Sequence, residues 1–296
     1  IITVGKDKTD FSTLSDALNS IRDNDINNRY QIRVNPGIYN ESQLLEMKEY
    51  VDIIGIDSEN TIINLEFDDN ISATEILNRN NDLFLNSYYI KLSKNSSIKN
   101  ITFKRNNNFT DNDYTVIIYY RDNSDYFLDK YPILENVNIQ NFCSNSKSNV
   151  GIVLYDFYSN IHNSFKNVNI IVKNALIQNI GIIAKSDTEF ISKPNPNNTN
   201  WYFNSSNNLI DNKYFNNYSL LLDNVDIKIN SISIENTDQL IYNIRTCSLL
   251  IDNYSFQIKN SNFNIDYSGT LTSELEKNTN IFIKDSNIEL YNIKFY

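Results

Sequence analysis

The stretch Leu134–Ile139, LENVNI, carries a chemical pattern that recurs along this chain of 296 residues. An apolar residue stands first, Asn or Asp third, a small or apolar residue fourth, and an apolar residue sixth. The other copies are IKNITF (Ile98–Phe103), FKNVNI (Phe165–Ile170), LDNVDI (Leu222–Ile227), IKNSNF (Ile258–Phe263) and IKDSNI (Ile283–Ile288). They lie roughly 25 to 36 residues apart, with one interval of about twice that length, a spacing typical of a solenoid.

The third residue of the pattern marks a bend between two short strands. Asn and Asp are the residues other than Gly that best tolerate the left-handed backbone conformation. The flanking apolar residues keep the phase of strands that bury one face. We therefore predict that each copy forms the same corner of a parallel β-helix, where stacked Asn side chains can form a hydrogen-bonded ladder. An antiparallel sandwich is the rival, but six glycines are too few for its tight hairpin turns.

The composition supports one elongated all-β domain spanning residues 1–296. Hydrophobic residues make up 41% and charged residues 21% of the chain, so a core can form. Residues 1–30 are predicted to supply a strand and a capping helix near Ser12–Asp23, with Asp10 or Ser12 as its N-cap. Residues 31–296 are predicted to form the coils, with long loops near 66–92, 104–131 and 187–217. Long loops on one face of a solenoid often bind ligands.

The charge and cysteine content restrict the partners. The net charge is −10, which disfavours nucleic acid and anionic membranes, and would repel a polyanionic glycan unless calcium bridged the two. The two cysteines, Cys143 and Cys247, are predicted to be buried thiols, although a single disulfide stays open. No apolar run reaches the ~18 residues of a membrane span. No cofactor-binding or metal-binding motif is present, so neither a cofactor nor a metal is predicted.

The first 65 or so residues resemble a known superfamily by motif. The segments that carry the resemblance are Ile2–Val4, Asp10–Phe11, Ile32–Tyr39 and Ile53–Ile56. They are similar to the opening of pectin-lyase-like right-handed β-helix proteins, and most similar to the pectinesterase type. The resemblance implies a right-handed parallel β-helix whose open end is covered by an N-terminal helix. Viral tail spikes and microbial surface proteins share this opening.

The catalytic signatures of three enzyme types within this superfamily are absent. A pectinesterase-like enzyme would carry G-x-Q-D-T-L-Y and D-F-I-F-G strands, and here the nearest strand aspartate, Asp156, has no second partner. A polygalacturonase-like enzyme would pair N-x-D with D-D and G-H-G, yet only Asn264–Asp266 matches, and His162 lacks flanking glycines. A pectate-lyase-like calcium cluster would need an arginine base, and nothing pairs acidic residues with Arg121 or Arg245. The sequence therefore assigns no catalytic residue.

Two other kinds of chemistry remain open. Asp223, Asp226 and Asp252 could meet across neighbouring coils as a carboxylate pair for glycoside hydrolysis, although a solvated acidic face is the favoured explanation. Aromatic rings could stack on sugars, although tyrosines also pack on any β-surface. The candidate glycan-binding residues are Tyr119, Tyr120, Tyr155, Tyr158, Trp201 and Tyr202.

Three functions follow from these observations. The first is a noncatalytic surface or virion protein, tail-spike-like or adhesin-like, that binds glycans or neighbouring subunits, with a homotrimer expected by analogy. The alternative is a polysaccharide-degrading hydrolase or lyase, similar to pectinesterase or pectate lyase, with a carboxylate site not yet placed. The third is a purely structural particle protein. The expected location is extracellular or on a virion surface.

Overall fold

The computed structural model of this chain describes most of the sequence in fifteen segments. The described residues are 1–66, 88–106, 114–121, 132–144, 148–155, 164–173, 175, 178–185, 201–203, 209–211, 220–231, 244–252, 255–267, 277–284 and 287–296. Within them the chain forms a short helix and 22 strands. Every strand pair is parallel except one, so the fold is the predicted all-β, right-handed parallel β-helix.

The strands form two large parallel sheets. The 13-stranded sheet contains β1 (Ile2–Val4), β2 (Tyr30–Val34), β3 (Gly37–Glu41), β5 (Val51–Gly55), β6 (Thr61–Leu65), β8 (Ser97–Arg105), β10 (Ile133–Asn141), β12 (Ser164–Lys173), β16 (Leu220–Ser231), β18 (Ser255–Lys259), β19 (Asn262–Tyr267), β21 (Asn287–Tyr291) and β22 (Lys294–Phe295). The seven-stranded sheet contains β4 (Leu45–Glu46), β7 (Tyr88–Lys91), β9 (Tyr114–Arg121), β11 (Ser148–Tyr155), β13 (Gln178–Lys185), β17 (Ile244–Asp252) and β20 (Lys277–Lys284). A separate antiparallel pair joins β14 (Trp201–Phe203) and β15 (Leu209–Asp211).

The 13-stranded sheet is folded along a row of asparagines at the third place of the repeated pattern. These residues have positive φ: 57° at Asn100, 54° at Asn136 and Asn167, 55° at Asn224 and 50° at Asn260. The strand register skips them; Glu135 pairs with Lys99 and Val137 with Ile101. The sheet therefore has a first face before the corner and a second face after it, and the seven-stranded sheet is the third face. The predicted corner is confirmed for these five copies.

The sixth copy of the pattern lies at a different corner. IKDSNI runs from the end of β20 to the start of β21, and so connects the third face to the first. The next asparagine corner is Asn292, which has a φ of 53° and donates from Nδ2 to Asn260 Oδ1 at 3.0 Å. Its surrounding segment, LYNIKF (Leu290–Phe295), has the same chemical pattern. The prediction was wrong for IKDSNI because any strand–bend–strand junction can carry this pattern.

The doubled interval of the repeat is an insertion and not a missing corner. Asn167 and Asn224 are 57 residues apart, yet their amides are direct neighbours at 2.8 Å. The additional residues lie between β13 and β16, where the long loop 187–217 was predicted, and β14 and β15 lie within that range. The other two predicted loops, 66–92 and 104–131, contain strands β7 and β9; the remainder of all three ranges is largely outside the described residues.

The N-terminal helix covers the first coils as predicted, but with a different cap. Helix α1 spans Leu14–Ser20, and the Thr13 side chain accepts a hydrogen bond from Asp16 N at 3.2 Å. Asp10, a predicted cap, instead accepts hydrogen bonds from the backbone N and the Oγ1 of Thr3, both at 2.8 Å. These bonds lower the pKa of Asp10. The Asp10 side chain therefore fastens the loop before the helix to β1.

The core is a continuous stack of aliphatic and aromatic side chains inside the coils. It extends from Val4 to Phe263 in one cluster. Cys143 and Cys247 are both buried and neither forms a disulfide, which confirms the predicted buried thiols. Among the described residues, no helix is long and apolar enough to cross a membrane. The assignment of the whole chain to one domain stays a prediction.

Candidate functional site

A polar groove lies on the outside of the asparagine corner. It has a volume of about 450 Å³, and its lining residues are Ile56, Asp57, Ser58, Glu59, Asn60, Asn100, Asn136, Asn138 and Asn167. The groove exists because successive coils turn differently. The chain turns over Ile56–Asn60 between β5 and β6, whereas the next coil turns at Asn100 alone. The longer turn stands as a wall beside the shorter ones.

The floor of the groove is the asparagine ladder. Asn136 Nδ2 donates to Asn100 Oδ1, and Asn167 Nδ2 donates to Asn136 Oδ1, both at 2.8 Å. Asn100 Nδ2 donates to the carbonyl of Gly55 at 3.3 Å. Each amide has two N–H groups and two lone pairs on its oxygen, so the ladder uses only part of its capacity. The exposure rises along the row, from half-buried Asn100 and Asn136 to exposed Asn167.

A second row of polar side chains fixes the wall to the floor. Thr102 Oγ1 donates to the carbonyl of Ser58 and accepts from Asn138 Nδ2 at 3.0 Å. Thr102 is buried and Asn138 half-buried, so these bonds are shielded from competing water. The wall is thereby held at a set position relative to the ladder.

The wall carries two carboxyl groups. The Asp57 carboxylate accepts hydrogen bonds from Asn60 N at 2.7 Å and from Asn60 Nδ2 at 3.1 Å. These bonds lower the pKa of Asp57, so it is ionised at neutral pH. Glu59 is exposed on the same wall. No lysine or arginine is among the lining residues, and the groove is therefore negative.

The groove combines hydrogen-bonding amides with the two carboxyl groups of Asp57 and Glu59. A general acid at neutral pH needs a carboxyl whose pKa is raised. Of the described carboxyl groups with a clearly shifted pKa, Asp10, Asp57 and Glu135 are all shifted downward. No cluster of three or more His, Cys, Asp or Glu side chains that could hold a metal ion occurs in the described part of the chain.

Tyr119 and Tyr120, two of the aromatic residues predicted to contact a glycan, are not among the residues that line this groove. Tyr119 and Tyr120 are each only 2% exposed, and Tyr119 stacks on Tyr88 at a centroid distance of 4.8 Å. Such burial limits the ring area open to a sugar, and the role of these two residues in glycan binding stays a prediction. Tyr155 lies in β11, Trp201 and Tyr202 lie in β14, and Tyr158 is outside the described residues. Their role stays a prediction.

The predicted carboxylate cluster is divided between two places. Asp223 accepts from Asn260 Nδ2 at 3.1 Å and Asp226 accepts from Asn262 Nδ2 at 2.6 Å, so both serve the polar rows along the corner. Asp252 ends β17 on the third face and is not brought to them. Asp156 and His162 are outside the described residues.

The groove itself was not predicted from the sequence. A usable signal was the unequal length of the corners. In GIDSENT (Gly55–Thr61), the five residues Ile56–Asn60 separate two strands, whereas later coils turn at one asparagine. A long turn stacked on short turns necessarily forms a step. The amides that line the step were recognised only as structural elements of the corner.

Comparison with solved structures gives likenesses of the fold. The chain is similar to pectin methylesterase from carrot (11% identity, 100% of this chain and 82% of that chain, TM-score 0.40). It is also similar to those from Aspergillus niger (12%, 99% and 85%, 0.45) and Yersinia enterocolitica (10%, 94% and 90%, 0.43). No family model and no curated protein sequence matches this chain. The strand topology makes the fold a right-handed parallel β-helix.

Proposed function

We propose that this chain binds a polysaccharide, with the asparagine-lined groove as its contact site. The observation that supports this is the set of groups in the groove: amides at Asn100, Asn136, Asn138 and Asn167, set one coil apart or on the same coil. Sugar hydroxyls both donate and accept hydrogen bonds, and amides do the same. Coils stack about 4.8 Å apart, so the groove offers a repeated row of contacts to an extended chain.

A noncatalytic role is the main form of this proposal. The row of amides and the ionised Asp57 carboxylate can hold sugar hydroxyl groups by hydrogen bonds, which is sufficient for retention of a polysaccharide. A protein that holds polysaccharides acts where they are exposed, so an extracellular or virion-surface location belongs to the proposal, as does assembly with neighbouring subunits.

Degradation of the bound polysaccharide is the second candidate. The observation that favours it is that Asp57 and Glu59 place two carboxyl groups on one wall of the groove. Two carboxyl groups flanking the scissile bond are the usual catalytic groups of glycosidases. Because pectin methylesterases share the fold, hydrolysis of methyl esters is a reaction that any activity assay should include.

Replacement of Asn138 by alanine tests the groove. We expect Asn138→Ala to weaken polysaccharide binding by roughly 3- to 10-fold, since one or two hydrogen bonds are lost. The measurement is affinity electrophoresis and calorimetry of purified protein against a panel of uncharged and acidic polysaccharides. The matched control is Asn262→Ala, which removes an equivalent strand amide that bonds Asp226 outside the groove. The control should bind as wild type does.

The same panel separates the candidates. Retention without new chain ends or released methanol supports the binding role. Depolymerisation or methanol release that Glu59→Gln abolishes would establish the enzymatic candidate at this wall. Equal binding by the Asn138→Ala and Asn262→Ala variants would place the contact site elsewhere on the solenoid. Absence of binding to every polysaccharide would overturn the proposal.

A further inference from the structure

We infer that the groove selects uncharged glycan chains and repels polyuronates, with the Asp57–Glu59 wall as the selecting element. This inference rests on the proposed function, because it names the substrate class of the same groove. A polyuronate has one carboxylate on each sugar, whereas a neutral glycan presents only hydroxyl, ether and ester oxygens. Fixed negative charge on the protein therefore repels a polyuronate but does not repel a neutral glycan.

The wall holds that negative charge in place. Asp57 is kept ionised by the bonds from Asn60, and those bonds also prevent its carboxylate from turning away from the turn. The bond from Thr102 Oγ1 to the Ser58 carbonyl fixes the backbone between the two acidic residues. Glu59 is exposed and adjoins the same groove. Both residues line the groove, so a ligand bound there lies in the field of their charges.

The basic residues beside the groove do not offset this charge. On the first face, the row of residues just before the corner asparagines is Lys99, Glu135, Lys166, Asp223 and Lys259, in register on successive strands. Lys99 Nζ lies 2.8 Å from Glu135 Oε2, and Lys166 also contributes to lowering the pKa of Glu135. Three positive and two negative side chains alternate along this row, so its net charge of +1 does not cancel the two negative charges on the wall. The two carboxylates among the lining residues therefore make the net charge at the groove negative.

The floor of the groove suits an uncharged ligand for a separate reason. The ladder amides of Asn100, Asn136 and Asn167 are neutral, and each keeps hydrogen-bonding capacity beyond the ladder. A hydroxyl group can satisfy such an amide as donor or as acceptor. A carboxylate can only accept, and it would have no cation in the lining to compensate for its desolvation.

A pair of polymers with one backbone and different charge tests the inference. Highly methyl-esterified pectin is nearly uncharged, and mild alkaline de-esterification converts the same chains to polygalacturonate. We expect wild-type protein, at low salt and with a chelator present, to bind the esterified polymer at least about fivefold more tightly. Two like charges about 4 Å apart in water repel by about one kilocalorie per mole, which corresponds to that factor. Added salt should reduce the difference.

Glu59→Gln is the informative variant because its side chain is exposed and retains its shape. It should tighten binding of the de-esterified polymer by about fivefold and leave binding of the esterified polymer unchanged. Glu66→Gln is the matched control, since it removes one exposed carboxylate outside the groove and changes the net charge equally. The control should alter neither affinity.

The outcomes distinguish this inference from the proposed function. Equal affinity of the wild-type protein for both polymers would overturn the selectivity and leave polysaccharide binding intact. Equal effects of Glu59→Gln and Glu66→Gln would assign the repulsion to the whole negative molecule and overturn the role of the wall. Tight binding of polygalacturonate on calcium addition would show a bridging cation and also overturn the inference. No binding of either polymer, or of any neutral polysaccharide, would overturn both.

Discussion

The Asn136→Ala variant is expected to lose about 3 kcal/mol of folding stability, because one residue supplies both a backbone conformation and two ladder bonds. Its φ is 54°, which alanine adopts at a cost of about 1 kcal/mol. Its amide donates to Asn100 and accepts from Asn167 at 2.8 Å, and each such bond contributes about 1 kcal/mol. The measurement is urea-induced unfolding followed by circular dichroism.

Two further variants separate the causes. Asn136→Gly accepts the positive φ without strain, so it should be destabilised by about 2 kcal/mol, roughly 1 kcal/mol less than the alanine variant. Asn262→Ala removes a strand amide that bonds Asp226 at 2.6 Å, at a position without positive φ, and should cost about 1 kcal/mol. If the glycine and alanine variants were equally destabilised, the left-handed backbone would not be the reason for asparagine at this corner.

The corners could be predicted from sequence because two independent requirements coincide at each of them. The corner residue must tolerate positive φ, which restricts its identity, and its apolar neighbours must face one core, which restricts their spacing. Asn100, Asn136, Asn167, Asn224 and Asn260 satisfy both. The ladder follows from stacking for the first four, which are linked amide to amide, whereas Asn260 donates to Asp223.

The errors arose where only one of these requirements was applied. IKDSNI has the right spacing, but it connects the third face to the first, and only strand pairing reveals which corner a bend occupies. The helix cap was assigned from residue type alone. Asp10 and Ser12 are suitable caps, yet the turn geometry gave that role to Thr13, and Asp10 bonds Thr3 across the chain reversal.

The groove depends on a relation between coils that no local pattern contains. Ile56–Asn60 becomes a wall only because Asn100, Asn136 and Asn167 turn more tightly beside it. Likewise, Tyr119 and Tyr120 are residues of a type that often contacts sugars, but both are buried. Tyr119 belongs to a second apolar cluster on the third face, together with Val116, Val153 and Ile183. The alternation of apolar and polar residues along a strand does not distinguish an outer side that faces solvent from an outer side that other parts of the chain cover.

The second large effect is expected at Glu41, whose buried carboxylate holds the beginning of helix α1. Glu41 is 1% exposed; its Oε1 accepts from Leu14 N at 2.6 Å and its Oε2 accepts from Ser15 N at 3.2 Å. These are backbone donors that have no partner within the helix. A negative charge at this end of the helix is also favoured by the aligned peptide dipoles.

Glu41→Ala should therefore cost about 3 kcal/mol, since it leaves two buried N–H groups without acceptors and opens a cavity. Glu41→Gln should cost about 1 to 2 kcal/mol, because its amide keeps one acceptor and turns an N–H group towards the other donor. Thr13→Ala, which removes the cap bond from Asp16 N together with the local hydroxyl bonds to Asp16 Oδ2 and from Ser15 Oγ, is the control and should cost about 1 kcal/mol. Urea unfolding gives the three values, and hydrogen exchange at Leu14 and Ser15 shows whether the loss begins at the helix. A Glu41→Ala variant no less stable than Thr13→Ala would mean that the helix is held by the packing of Leu14, Ala17 and Leu18 against the first coils, with the buried charge adding nothing.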